Sequence, residues 1–213
     1  MVNPLSPDII SIVVSIAIVL MSLTVHEAAH AWSADRLGDP TARSLGRVSL
    51  NPLVHMDLIG TVLLPLIAAV SNLPIIGWAK PVPVNTSRLA HPRRDFMIVA
   101  AAGPASNLLQ AILIATLFHV LPLDGVSLWG LNWPNVLRRA VDINVLLAVF
   151  NLIPIPPLDG GNVLAGVLSE RAAQTFDRLR PFGFVILYAL LLTGMLSQII
   201  LPPADFLMEL LGL

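Results

Sequence analysis

The 213-residue chain contains no cysteine, so disulfides and thiolate metal sites are excluded and histidine and carboxylate remain as its strong metal ligands. Charge is scarce as well. Only 12% of residues are Asp, Glu, Lys or Arg, the formal net charge is -1, and there is no basic tract, which argues against a nucleic-acid partner. No internal repeat, low-complexity tract or polar segment long enough for a soluble domain interrupts it. What fills the chain is apolar. Hydrophobic residues make up 56% of it, and the mean hydropathy of +0.82 belongs to polytopic membrane proteins. The first apolar segment follows a stretch, residues 1–8, without Lys or Arg, and is expected to be retained as a span.

Five apolar stretches organise the chain. Residues 9–25 are uncharged, and a helix continued to Trp32 reaches about 36 Å, enough for a hydrocarbon core of about 30 Å. Residues 33–57 are polar, carry Gly38-Asp39-Pro40 and Asn51-Pro52 turn signals, and read as a loop with a short strand around 42–50. Residues 58–76 are apolar but broken by Pro65, Asn72 and Pro74. Residues 77–95 form a second polar loop, extended by its prolines. Residues 96–121 are a clean span, followed by a loop at 122–135 with Trp129 and Trp133 as interfacial anchors. Residues 136–153 are the next span, a short helix is expected over 162–168, and residues 182–200 are the last clean span. Residues 204–213 read as a short interfacial helix. The expected fold is an all-α polytopic membrane protein forming a single domain over 1–213, with its catalytic core at 9–168. About four full transmembrane helices are joined by a membrane hairpin, a Pro-rich broken helix and short strands in loops.

The path of residues 58–76 decides the topology. If they cross, Lys and Arg divide five (Arg36, Arg43, Arg47, Arg138, Arg139) against seven between the two sides. If they enter and return, the division is ten against two, and the ends of the first and the 136–153 spans share a face. The re-entrant path satisfies both criteria, with the ten-charge face cytoplasmic.

The strongest chemical signal is His26-Glu27-Ala28-Ala29-His30 at the end of the first span. On a helix, His26 and His30 are one turn apart, with Cβ atoms about 5–6 Å from each other, so both rings can face one ion. Glu27 lies about 100° round the helix, beside the ion instead of on it. Two histidines and a glutamate at membrane depth are costly to bury without a function. Histidines satisfied by neighbouring helices are the alternative. A zinc site needs a third protein ligand, and the best candidate is Asp159, inside the break Pro154-Ile155-Pro156-Pro157-Leu158-Asp159-Gly160-Gly161. Its prolines forbid a regular helix and its glycines allow close backbone approach. The lesser alternative is that Asp159 caps the helix expected from Asn162. Asn107 and Asn151 are amides inside apolar spans, suited either to bonding a neighbouring helix or to donating to substrate or a developing oxyanion. His55 and Asp57 read as a turn pair or as residues that tune the site, His91 as a loop residue and His119 as an outer interfacial one.

Taken in order on membrane spans, His26-Glu27-Ala28-Ala29-His30, Gly103-Pro104-Ala105-Ser106-Asn107 and Phe150-Asn151-Leu152-Ile153-Pro154 through Leu158-Asp159-Gly160-Gly161 resemble the site-2 protease family of intramembrane zinc metalloproteases, over roughly residues 9–168. Residues 51–57 and the 58–76 hairpin resemble its compact prokaryotic branch without PDZ or CBS domains. The resemblance implies that His26, His30 and Asp159 hold one Zn2+, Glu27 is the catalytic base, and Asn107 and Asn151 position substrate or stabilise the intermediate. It also implies substrates that are transmembrane segments of other proteins, often cut first by another protease, and a location in a prokaryotic cytoplasmic membrane with the site toward the cytoplasmic face. The competing function is a catalytically silent scaffold that binds transmembrane helices.

Overall fold

The computed structural model describes residues 7–64, 67, 79–122, 126–128 and 131–213. Its frame is three helices: α1 (Pro7–Arg36), α3 (Pro92–Val120) and α4 (Trp133–Asn151), with a one-turn helix α2 (Thr41–Ser44) between the first two. The long apolar helices keep large side chains on their outer surfaces, including Ile12, Val13, Ile16, Leu109, Leu113 and Leu117. Among the described residues, α1 from Ile10 and α3 are long and apolar enough to cross a membrane, and a bent pair near the C-terminus raises the number to three.

Contacts between the helices give their directions. Val99 of α3 meets His30 and Asn107 meets His26, so α3 runs antiparallel to α1. Arg139 of α4 meets Ser15, and Asn144 meets Ser22, so α4 runs parallel to α1. The chain between α1 and α3 therefore leaves and returns on one face, as the re-entrant path requires. The expected hairpin itself begins in a widened π-helical turn at Leu58–Leu63, and apart from residue 67 its residues 65–76 lie outside the described residues.

The loop after α1 differs from expectation. Among the described residues there is no strand at 42–50; α2 stands there because the Asp39 carboxylate accepts the N–H of Thr41 (3.1 Å) and Pro40 fixes the entry to a helical turn. Asn51 caps a 3₁₀ turn at Pro52–Val54, and Asp57 accepts the N–H groups of Ile59 and Gly60 at 3.0 and 2.7 Å. His55 is buried, with Nε2 donating to the Ser49 carbonyl at 2.8 Å, while its own carbonyl accepts the N–H of Lys80. His91 and Asp57 are thus helix-start residues: His91 precedes α3, and its N–H is taken by Asp95. His119 lies near the other end of α3 and donates from Nε2 to the Leu211 carbonyl.

Two short antiparallel strands, β1 (Ser127–Leu128) and β2 (Leu131–Asn132), fall in the loop before α4; Trp129 lies outside the described residues and Trp133 opens α4. After the Pro-rich break come α5 (Asp159–Val167), α6 (Glu170–Asp177), α7 (Gly183–Leu192) and α8 (Met195–Leu210). Residues 182–200 are not one straight span. Gly194 adopts φ +73°, a left-handed conformation that ends α7, and the chain from Glu170 to Leu192 meets α8 at 81°. Residues 204–213 are not a separate interfacial helix either, since α8 runs through them to Leu210. Ala204 is buried in a cluster with Ala111, Ala115, Val141 and Val145, its small side chain letting α8 pack on α3 and α4.

Candidate metal centre

Helix geometry puts His26 and His30 on one face of α1, and the structure turns both rings to a common point. Their Nε2 atoms are 3.1 Å apart. Asp159 Oδ2 completes a triangle, 3.1 Å from His26 Nε2 and 3.3 Å from His30 Nε2. Among the described residues these three form the only cluster of metal-type ligands. Asp159 is the first residue of α5, and the N-cap position belongs to Leu158, so the carboxylate is free of capping and turned to the histidines. The alternative reading as a cap for a helix from Asn162 fails because the helix already begins at Asp159.

The donor set fits a zinc ion. His26 Nδ1 lies 2.6 Å from Asn107 Oδ1, and His30 Nδ1 lies 2.7 Å from the Val99 carbonyl. Both partners accept, so each ring carries its hydrogen on Nδ1 and presents a lone pair at Nε2. Asp159 Oδ2 is buried without a hydrogen-bond donor. Three buried acceptor atoms held 3.1–3.3 Å apart repel one another, and a shared cation would compensate them. Tetrahedral zinc with bonds of about 2.0–2.1 Å holds neighbouring ligand atoms about 3.3–3.4 Å apart, which the triangle matches.

Glycines make this approach possible. A Cβ at Gly103 would stand 2.4 Å from His30 Nε2 and 2.6 Å from His26 Nε2. At Gly160 it would stand 2.2 Å from the Leu152 carbonyl oxygen, and at Gly161 2.8 Å from Pro156 N. The Pro-rich segment is thereby folded down onto the start of α5, which carries Asp159 to the histidines. Arg93 secures the other end of α5, donating from Nε and Nη2 to the Ala165 carbonyl at 3.0 and 2.8 Å.

Glu27 is buried beside the triangle, and its Oε2 accepts the N–H of Val82 at 3.2 Å. Val82 belongs to the extended stretch 79–85, which Arg47 holds through the Lys80 carbonyl and Asp39 holds by accepting the N–H of Asn85 at 2.6 Å. Asn107 is fully buried, with its oxygen on His26 and its nitrogen on Asn144 (3.0 Å) and the Ser22 carbonyl (3.4 Å). That placement puts Asn107 directly behind His26, with its amide enclosed and its hydrogen bonds made within the protein. Asn151 is half-buried at the end of α4, and one N–H of its amide bonds the Leu147 carbonyl at 3.0 Å. Sequence reasoning missed Asn144, whose only signal is an amide two turns before Asn151 in an apolar helix.

Comparison with known proteins bears on this geometry. Residues 123–194, which include Asn151 and Asp159, match the profile of peptidase family M50. The Bacillus subtilis protein named "Putative zinc metalloprotease YwhC" is 32% identical over 186 residues, covering 86% of this chain and 82% of that one. The chain belongs to peptidase family M50. This is the site-2 protease family that the three motifs resemble, and membership makes the protein a metalloprotease whose cofactor is Zn2+. Two mycobacterial proteins, each named "Putative zinc metalloprotease Rip2", match over 84% of this chain and 66% of their own length. The Mycolicibacterium smegmatis protein is 34% identical and that of Mycobacterium tuberculosis H37Rv 30%. No solved structure gives a significant match.

Proposed function

We propose that the protein is an intramembrane endopeptidase: it hydrolyses peptide bonds within or beside transmembrane segments of other membrane proteins. The observation that carries the reading is the position of the His26, His30 and Asp159 triangle, whose two histidines lie on the C-terminal part of a helix long and apolar enough to cross a membrane. His26 and His30 lie about 15 and about 9 Å along the helix axis from Arg36, counted from the helical rise, so the site sits below one face. In this reading α4 and the bent α7–α8 pair join α1 and α3 as membrane elements, about four in all, and the ten-charge face is cytoplasmic.

His26, His30 and Asp159 hold the ion, with Asn107 and the Val99 carbonyl fixing the two rings. An ion held there would supply a Lewis acid able to lower the pKa of a water toward about 7 and to polarise a peptide carbonyl. Glu27 accepts the proton of the attacking water and later delivers it to the leaving amine. The N–H of Val82, 3.2 Å from Oε2, steadies the Glu27 carboxylate. Asn151 spends one amide N–H on the Leu147 carbonyl, and its second is the donor we assign to the developing oxyanion.

The decisive experiment is cleavage of a substrate with a single transmembrane helix by the purified, detergent-solubilised protein, with zinc measured in parallel for wild type and Glu27→Gln. Cutting within the span by wild type alone, with about one zinc in both proteins, is the expected result. Stoichiometric zinc without cutting of any span overturns the protease reading and favours the scaffold.

A further inference from the structure

Behind His26 a set of buried polar groups joins α1, α3 and α4. Ser22 is 3% exposed, Asn107 0% and Asn144 1%, in helices otherwise lined by apolar side chains. Asn107 Nδ2 donates to Asn144 Oδ1 at 3.0 Å and, at 3.4 Å, to the Ser22 carbonyl. Asn144 Nδ2 donates to Ser22 Oγ and to the Ala140 carbonyl, both at 2.9 Å. The other end of the chain of bonds is the 2.6 Å contact from Asn107 Oδ1 to His26 Nδ1.

The bonds have one consistent polarity. A backbone carbonyl only accepts, so Ala140 obliges Asn144 to present its NH2 on that side and its oxygen toward Asn107. That oxygen obliges Asn107 to present its own NH2 to Asn144 and its oxygen to His26. An oxygen at His26 Nδ1 then selects the tautomer with hydrogen on Nδ1 and a lone pair on Nε2. Reversing Asn107 alone would set oxygen against the Asn144 oxygen and NH2 against the imidazole N–H, both at buried positions.

We infer that Asn144, supported by Ser22, is a positioning residue that fixes the Asn107 amide and through it the metal-ready tautomer and ring orientation of His26. The inference rests on the metal-site reading proposed above. It requires no contact between Asn144 and either metal or substrate.

The test measures zinc affinity of the full-length protein by competition with a chelator, and the visible d–d spectrum after cobalt(II) replacement, for wild type, Asn144→Leu and Val145→Ala. Val145 is equally buried on the same helix but carries no polar link, so it reports loss of packing alone. Asn144→Leu is expected to weaken zinc about 10–100-fold, the range for losing a group that orients a ligand, and to shift the cobalt spectrum. Val145→Ala is expected to leave both unchanged. Wild-type zinc affinity in folded Asn144→Leu, or an equal loss in Val145→Ala, overturns the inference. Should Asn144→Leu fail to fold, Ser22→Ala decides: zinc weakened about 2–10-fold supports the relay, and unchanged affinity refutes it. No readout involves substrate. A wild-type protein that fails to bind zinc at all would sink the metal-site reading, whereas a difference between variants concerns only Asn144.

Discussion

Gly103 lies so close to His30 that a Cβ at that position would stand 2.4 Å from the imidazole Nε2. The ring cannot retreat freely, because Nδ1 is held by the Val99 carbonyl one turn away on the same helix as Gly103. α3 therefore does two things at once: it leaves room for the histidines at Gly103 and fixes their far nitrogens at Val99 and Asn107.

Gly103→Ala should accordingly separate helix formation from metal binding. Alanine is the better helix former by about 1 kcal/mol, so α3 is expected to persist. The added methyl group would push both imidazoles from the triangle, and zinc affinity should fall by at least the ~10–100-fold typical of a disturbed supporting residue. Zinc content after dialysis against a weak chelator, with circular dichroism for helix content, checks both halves. Full zinc retention would show that the rings have more freedom than their hydrogen bonds imply.

The legible part of the site was the part set by local periodicity. His26 and His30 meet because four residues make one helical turn, and Asp159 stood out because prolines and glycines broke a span around a lone carboxylate. Groups joined across the chain were not legible. Nothing in the spacing of Val82 shows that its N–H meets Glu27, or that Asn144 backs Asn107, since an amide in an apolar helix looks alike whether it bonds a ligand or a neighbour. The fold divides in the same way. The three long helices follow from hydropathy, whereas the bend at Gly194 and the helical turn at α2 depend on a left-handed backbone angle and an Asp39 bond that hydropathy does not register.

Gly183→Ala should destabilise the protein against its intrinsic propensity. A Cβ there would stand 1.9 Å from the Pro156 carbonyl oxygen, a backbone atom of the segment that leads to Asp159. The usual gain for Gly→Ala in a helix, about 0.5–1 kcal/mol, is then outweighed by overpacking of about 1–3 kcal/mol. A lower thermal midpoint in detergent is expected, with weaker zinc binding as the Pro-rich segment moves. A raised midpoint would mean that α7 shifts away from Pro156 at little cost.

Asp39 ties the turn after α1 to the stretch that reaches Glu27. Burial alone would raise its pKa, but the Thr41 hydroxyl, the N–H groups of Asn85 and Thr41 and the charge of Arg88 together lower it below its ordinary value of 3.8. A carboxylate with a lowered folded pKa stabilises the fold at pH above its unfolded value, and that contribution fades as pH falls through the folded one. Asp39→Asn sets an NH2 against one of the N–H groups now bonded, costing about 1–3 kcal/mol near neutrality. Thermal midpoints of the two proteins should therefore differ at pH 7 and converge below pH about 4. A constant gap at every pH would assign the loss to packing instead of charge.

On the proposed activity toward transmembrane segments with Glu27 as base, substrate choice follows from the same geometry. A transmembrane helix keeps its carbonyls in its own hydrogen bonds, and Glu27 can assist attack only on a carbonyl that has left them. Local unwinding must precede hydrolysis, so its free energy enters the barrier wherever closing of the helix is faster than the chemical step. One glycine lowers that cost by about 1 kcal/mol and one proline by about 3 kcal/mol, which correspond to rates about 5-fold and ~100-fold higher. Spans with Gly, Pro or Asn beside the cut should be preferred, measured as initial rates for otherwise identical substrates in one detergent. Equal rates on an uninterrupted Leu/Ala helix would mean that unwinding is driven by binding to the protein, with the extended stretch at 79–85 beside Glu27 as the nearest backbone able to compensate the released carbonyls.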